Sequence, residues 1–231
     1  MKTEITHGKV KTVFTTSEPD KVFIQYEDKV TAGNGRRIDF PEGKGKVCME
    51  ISTLLFKKLE ERGIKTHYLN SIPERIMTCK KVDIIPIEVV VRNVAAGSIV
   101  RQTTIKEGTE FDWPLVEFYL KDDAKDDPLL TTDRIIKMEH NMEDVGEMEI
   151  MAREVNTLLQ NVFEKIGLTL VDFKLEFGYD ANKNLLLADE LSPDGMRLWR
   201  EGQSFDKDLF REEKGDMIGA YKYILQQLKN N

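Results

Sequence analysis

Cysteine, histidine and long apolar runs are scarce in this sequence. The two cysteines, Cys48 and Cys79, have neither metal-ligand spacing nor a disulfide framework, so we expect two small core residues. The three scattered histidines form no zinc pattern and are expected at the surface or in loops. No apolar stretch approaches the roughly 18 residues that span a bilayer, and the first residues lack the apolar core of a signal peptide. We therefore expect a cytoplasmic protein without a membrane partner.

Two common nucleotide-binding fingerprints are also missing. The chain contains neither a Gly-x-x-x-x-Gly-Lys-Ser/Thr loop nor a Gly-x-Gly-x-x-Gly turn, so an ATP site would not be of the P-loop or Rossmann type. The net charge of -7 argues against nucleic acid as a partner, because a polyanion would be repelled overall. Any smaller anionic ligand must therefore meet local basic groups.

The apolar pattern predicts an α+β protein with antiparallel sheets packed with helices. Its 231 residues suit one large domain or two packed lobes, and strands in hairpin order favour antiparallel pairing. We place the boundary in the connector 80–86, between a β-rich lobe (1–84) and an α+β lobe (85–231). Helices are predicted over 46–62, 148–166 and 216–228. Strands are predicted over 11–16, 22–27, 66–69, 75–79, 87–94, 116–120, 168–177 and 184–191.

Acidic and basic side chains alternate along the predicted strand 168–177. The strand period of two puts Asp172, Lys174 and Glu176 on one face. An even register in the following hairpin would place Asp189 beside Glu176 and opposite Lys174. A solvated hairpin with a cross-strand ion pair would show the same pattern, but the turn sequence at 192–195 directly after Asp189 favours a binding site. We predict that Glu176 and Asp189 bind Mg²⁺, which usually takes one or two protein carboxylates and completes its shell with phosphate and water.

Two lysines near the N-terminus could bind a polyphosphate. Lys9 and Lys11 would lie on one face if residues 8–13 form a strand. Alternating lysines are also an ordinary device against aggregation on an exposed edge strand. From these residues alone, both interpretations stay open.

A third candidate site follows the predicted strand 87–94. Gly97 and Ser98 would expose backbone N–H groups and a hydroxyl to an anion at the start of a helix, and Arg92 could add a bidentate contact. A plain strand-to-helix turn with a capping serine would have the same sequence. The segment therefore allows an anion site without requiring one.

Taken together, these motifs resemble the SAICAR synthetase (phosphoribosylaminoimidazole-succinocarboxamide synthase) family. The similar stretches follow the family order along nearly the whole chain, and those around 172–178 and 192–194 are the most specific. They cover residues 8–11, 32–35, 86–98, 118–123, 127–128, 171–178 and 189–199.

The resemblance implies a two-lobed fold related to ATP-grasp enzymes, with ATP in the cleft between the lobes. It implies an ATP- and Mg²⁺-dependent ligase of purine biosynthesis that joins L-aspartate to carboxyaminoimidazole ribonucleotide (CAIR) through an acyl phosphate, giving SAICAR, ADP and phosphate. It also suggests a homodimer. The same motifs would also suit a small-molecule kinase or a nucleotide-sensing module.

The resemblance also implies roles for individual residues. Lys9 and Lys11 would contact the ATP phosphates, and Glu176 and Asp189 would bind Mg²⁺. The adenine pocket would be lined by Val13 and by the backbone around Lys80, Val82 and Ile84. On the substrate side, Arg92, Ser98, Arg197 and Asn34 would bind the ribonucleotide, while Lys121 and Lys174 would hold carboxylate or phosphoryl oxygens. The catalytic set is Lys174, Lys121 and Arg197. A lid role for 206–211 is a further expectation.

Overall fold

A computed structural model describes residues 2–33 and 35–231, apart from the side chain of Asp123. Asn34 lies outside the described residues. The strands are β1 (Glu4–His7), β2 (Lys11–Thr15), β3 (Lys21–Tyr26), β4 (Val30–Ala32), β5 (Arg37–Asp39), β6 (Tyr68–Ile72), β7 (Ile76–Lys80), β8 (Asp83–Val94), β9 (Glu110–Leu120), β10 (Thr169–Tyr179), β11 (Leu185–Ala188), β12 (Met196–Arg200) and β13 (Gln203–Ser204). The helices are α1 (Lys44–Glu60), α2 (Ser98–Gln102), α3 (Thr132–Lys137), α4 (Met142–Glu164), α5 (Asp208–Arg211) and α6 (Met217–Asn230), with a 3₁₀ turn at Asp123–Lys125.

The N-terminal part is a five-stranded antiparallel sheet in the order β1-β2-β3-β7-β6. Along β3, Val22, Ile24 and Tyr26 are buried while the residues between them are partly exposed, as expected for a strand with one face on the core. Helix α1 buries an apolar stripe against this sheet and against α6. The chain then reverses at Gly63, whose φ of 84° is readily adopted by glycine.

The C-terminal part is built on a six-stranded antiparallel sheet. Its path runs β13-β12-β10-β8-β9, and β11 pairs with β10 at one end. Ile87, Val89 and Val91 of the central strand β8 are fully buried at alternate positions, and α4 packs on β8 and β10. The predicted α+β class with antiparallel sheets is confirmed.

Several element boundaries differ from the sequence-based expectation. Helix α4 begins six residues earlier than predicted, because Asn141 caps it by accepting a hydrogen bond from the backbone N–H of Glu143 (3.0 Å). Strand β9 also starts six residues early, at Glu110; it lies at the sheet edge, where few of its side chains are buried and the apolar alternation is weak. Strand β8 begins at Asp83, within the connector proposed as the lobe boundary.

One core joins the two parts of the chain. A continuous cluster of buried apolar side chains includes Ile24 and Met77 of the first sheet, Leu175 of the second, and Tyr221 of α6. The two lobes proposed to meet between residues 84 and 85 therefore do not have separate cores. Their boundary stays a proposal. Among the described residues, no helix is both long and apolar enough to cross a bilayer.

Candidate active site

Two adjoining cavities of about 400 and 450 Å³ open beside the second sheet. We call the first the arginine cavity, since Arg92 and Arg197 line it, and the second the carboxylate cavity, since Glu176 and Asp189 line it. The side chains and backbone shared by both are those of Lys9, Thr31, Lys174, Asp194, Gly195 and Lys207. The shared wall makes them two ends of one cleft.

The charged side chains of strand β10 line the two cavities from one face, as predicted. Asp172 lies in the arginine cavity, Lys174 in both, and Glu176 in the carboxylate cavity. The side chains of Leu175 and Phe177 point into the core, where each is at most 1% exposed. Alternation along one strand thus links the two ends of the cleft.

Asp189 reaches the carboxylate cavity by a route that differs from the predicted one. Glu176 pairs with Ala188, so plain alternation would put Asp189 on the core side with Leu187. The strand ends at Ala188, and Asp189 has a left-handed φ of 61°. Its carboxylate lines the carboxylate cavity with Glu176. The expected convergence is therefore observed, whereas the expected register opposite Lys174 is wrong.

Lysines neutralise the carboxylates of this cavity. Lys11 Nζ lies 2.5 Å from Asp189 Oδ1 and 2.9 Å from Glu190 Oε1, and Lys121 pairs with Glu176. Burial by itself would raise the pKa of Asp189, but the ammonium groups of Lys11 and Lys174 outweigh it and hold that pKa below its usual range. The Asp189 carboxylate is therefore ionised near neutral pH and can act as a metal ligand.

Lys174 occupies the shared wall between two acids. Its Nζ lies 2.6 Å from Glu88 Oε1 and 3.2 Å from Glu176 Oε1. Burial would lower the pKa of Lys174, yet these carboxylates raise it above its ordinary value. The side chain therefore presents a fixed positive charge where the two cavities meet.

The carboxylate cavity offers a small set of hard donors. Within the described ranges 2–33 and 35–231, no cluster of three or more His, Cys, Asp or Glu side chains could hold a metal by itself. Two carboxylates, Glu176 and Asp189, suit Mg²⁺, which readily shares its shell between one or two protein oxygens and phosphate. The donor set therefore fits a metal that arrives with a nucleotide.

The buried carboxylate of Asp172 joins the two arginines of the arginine cavity. Asp172 Oδ2 accepts from Arg92 Nη1 (2.9 Å) and Arg197 Nη1 (2.8 Å), and Arg92 Nη2 donates to Ser98 Oγ (2.8 Å). Gly97 has a φ of 69°, which favours glycine, and a Cβ at this residue would lie 2.6 Å from Arg197 Nη2 and displace that guanidinium group. The two guanidinium groups and the hydroxyl are thus fixed on one wall, where they can bind a phosphate.

The chain matches the family model described as SAICAR synthetase over residues 4–228. The chain belongs to the SAICAR synthetase family. A phosphoribosylaminoimidazole-succinocarboxamide synthase of Wolinella succinogenes is 44% identical over 230 residues, 98% of each chain. One of Trichormus variabilis is 46% identical over 228 residues, 96% of this chain and 93% of the relative.

Solved structures of SAICAR synthetases have the same fold. A type-2 SAICAR synthetase in complex with ADP superposes with a TM-score of 0.94 at 38% identity, covering 98% of this chain and 97% of that one. The SAICAR synthetase of Pyrococcus horikoshii gives 0.89 at 37% identity, covering 100% and 98%. The family identified from the sequence motifs is thereby confirmed.

Some residues implied by the family resemblance lie outside the two cavities. Val13 is on β2, Lys80 ends β7, Val82 precedes β8, and Ile84 on β8 is 42% exposed; none of the four lines either cavity. Their adenine-binding role stays a prediction. Lys9 lies in the bend between β1 and β2 and not on a strand with Lys11, although both lysines line the carboxylate cavity.

Asp194 and His67 were not singled out as site residues from the sequence. Asp194 lines both cavities, pairs with the buried Lys44 and accepts a hydrogen bond from the hydroxyl of Tyr221 (2.8 Å). Lys44 is 150 positions away, so no local pattern reveals the pair, although the turn sequence at 192–195 marked its location. His67 lies in a bend before β6, as expected for a loop residue, but it is 2% exposed and therefore not at the surface.

Proposed function

We propose that this member of the SAICAR synthetase family joins L-aspartate to CAIR with cleavage of ATP to ADP and phosphate. This proposal rests on the continuous cleft formed by the two cavities. Its carboxylate cavity combines Glu176 and Asp189 with lysines, its arginine cavity holds Arg92, Ser98 and Arg197, and Lys174 stands between them. A nucleotide and a ribonucleotide phosphate can thus bind at opposite ends, with the reacting groups meeting at the shared wall.

The nucleotide belongs in the carboxylate cavity. Lys9 and Lys11 line it and carry the positive charge that a triphosphate requires. When bound there, Mg²⁺ would be held by Glu176 and Asp189 and would neutralise charge on the transferred phosphoryl group. We propose that the adenine lies beyond this cavity, against Val13 and the backbone of Lys80, Val82 and Ile84.

The ribonucleotide belongs in the arginine cavity. Its phosphate would contact Arg92, Ser98 and Arg197, which Asp172 orients by accepting hydrogen bonds from both arginines. We propose that Asn34 also helps to seat it. Anchored at this end, the ribonucleotide extends its carboxylate towards Lys174 and the carboxylate cavity.

The reaction then takes two steps at the shared wall. A carboxylate oxygen of CAIR attacks the γ-phosphorus, the bond to the β-phosphate oxygen breaks, and ADP leaves. The neutral amine of aspartate attacks the acyl carbon, and inorganic phosphate leaves with the electrons of the C–O bond. The proton that the nitrogen loses on forming the amide passes to the leaving phosphate. Lys174 and Lys121 stabilise the negative charge that develops on the transferred phosphoryl and carbonyl oxygens. The cleft walls shield the acyl phosphate from water.

A component-omission assay tests the activity. Purified protein with ATP, Mg²⁺, CAIR and aspartate should release phosphate and form the amide, and leaving out any single component should abolish both. A stable phosphorylated product without amide would indicate a small-molecule kinase instead. Nucleotide binding without turnover would indicate a sensing module.

We further propose that the protein is cytoplasmic and homodimeric. Sedimentation equilibrium should then give twice the mass of the 26.6 kDa chain.

A further inference from the structure

Lys207 places a buried positive charge at the junction of the two cavities. The residue is only 9% exposed and lines both the arginine cavity and the carboxylate cavity. It precedes α5, and the neighbouring Asp206, which is fully buried, accepts from the backbone N–H groups of Leu198 and Asp208 (both 2.7 Å). Through the bond to Leu198, Asp206 holds the residues around Lys207 against β12. Lys207 therefore has a fixed position in the wall shared by the two cavities.

The acids around Lys207 are already neutralised by other cations. Asp194 pairs with Lys44, and Glu190 pairs with Lys11. Asp208, on the same segment, pairs with Arg197 and Arg211. Across the described parts of the chain, no ion pair within 4 Å includes the ammonium group of Lys207. Burial lowers the pKa of Lys207, and the nearby carboxylates of Asp194 and Glu190 offset this only in part, since Arg211 and Lys44 oppose them.

A buried cation without an ion-pair partner within 4 Å, at a cavity wall, favours an anionic ligand. The phosphates of the two nucleotide substrates already have cations at the ends of the cleft. The third substrate, the amino acid, is itself an anion with two carboxylates, and its amine must reach the acyl carbon at the shared wall. It therefore needs a cation near that wall.

We propose that Lys207 binds a carboxylate of the acceptor amino acid and so positions its amine for attack. This inference rests on the proposed ligase activity. It gives Lys207 a substrate-binding role, and the lid role of 206–211 stays a prediction.

Steady-state kinetics of Lys207→Met, with each substrate varied in turn, test the proposal. Methionine keeps the length and burial of the side chain and removes its charge. The KM for aspartate should rise by about 100-fold, the cost of removing one partner from a buried charge pair, while the KM values for ATP and CAIR change little. Lys207→Arg, which keeps the charge, should recover part of the affinity for aspartate. Lys214→Met, at an exposed lysine paired with Glu212, is the matched control.

The possible outcomes are distinct. An unchanged KM for aspartate would overturn the proposal, as would a rise confined to the KM for CAIR or ATP. A fall in kcat with every KM unchanged would also contradict it, since Lys207 would then act on the reacting phosphoryl group. Wild-type protein that fails to ligate aspartate would refute the proposed function itself. Wild-type KM values for ATP and CAIR in Lys207→Met would show that the variant is folded.

Discussion

Asp189 has a left-handed backbone conformation that aspartate adopts more often than most residues, and its neighbours hold it there. His67 Nε2 donates to the carbonyl oxygen of Asp189 at 3.1 Å, and the backbone N–H of His67 donates to the carbonyl oxygen of Leu187 at 2.9 Å. The imidazole packs edge-on against Phe56. The conformation of the candidate metal ligand thus depends on a buried histidine from another part of the chain.

This histidine predicts a pH dependence of stability. Burial lowers the pKa of His67 to about 4, below its unfolded value of 6.5, so the unfolded chain binds the extra proton between these pH values. The stabilisation that the neutral, buried His67 gives is fully present above pH 6.5 and is lost as pH falls through about 4. The free energy of unfolding should fall by about 3 kcal/mol over this range. Denaturant unfolding of wild type and His67→Gln over this range should show a smaller pH dependence in the variant. His140→Gln is the control; equal slopes for wild type and His67→Gln would contradict the account.

The sequence predicts side chains on a regular strand better than those at strand ends. Asp172, Lys174 and Glu176 share one face of β10 because strand alternation needs no information from distant residues. The position of Asp189 depends on a backbone angle that the preceding strand pattern does not encode. Asp194 acquires its importance from Lys44, which is 150 positions away, and Lys207 from the distant residues that line the cleft with it.

At the scale of elements, helices α1 and α6 are joined to the cleft by a buried ion pair. Lys44 at the start of α1 is 1% exposed, pairs with Asp194, and shares that carboxylate with Tyr221 of α6. Burial would raise the pKa of Asp194, but Lys44 outweighs this effect and lowers it to about 2. The pair anchors the turn whose Gly195 carbonyl accepts from the backbone N–H of Lys174 (2.9 Å).

Removing one member of this pair should destabilise the fold strongly. We expect Lys44→Met to lower the free energy of unfolding by about 3–5 kcal/mol, because it leaves a buried carboxylate without its cation. Adding Asp194→Asn should recover much of that loss. The same two helices also carry an exposed pair, Lys229 with Glu50 at 2.5 Å, so Lys229→Met is a matched control with an expected cost below about 1 kcal/mol. Equal effects of both lysine variants in urea unfolding would contradict this account.

Long amphipathic elements were predicted well because periodicity alone defines them. The strongly periodic helices α1, α4 and α6 and the central strands β8 and β10 were expected from the sequence. The short helix α3 and the early start of α4 were not expected from the sequence. Their first residues are set by the capping side chains of Thr131 and Asn141, and no apolar stripe marks them. The edge strand β9 was underestimated, since much of its length faces solvent.

At the scale of the whole molecule, the two sheets share one core, which predicts a single cooperative unfolding transition. Apolar residues of β3, β7 and α1 belong to the same buried cluster as those of β10 and α6. Far-UV circular dichroism reports all elements, whereas tryptophan fluorescence reports only Trp113 and Trp199 of the second part. The two signals should change at the same urea concentration. Separate midpoints would show that the parts 1–84 and 85–231 unfold independently.

The most direct test of the account is the Mg²⁺ dependence of ADP binding, measured by calorimetry. Magnesium should tighten ADP binding to the wild type, and Glu176→Gln or Asp189→Asn should weaken that metal effect by about tenfold or more, because each variant removes a charged oxygen ligand. Glu154→Gln, on the exposed side of α4, should behave as wild type. Full wild-type metal dependence in both cleft variants would contradict the central claim that these two carboxylates hold the nucleotide's metal ion.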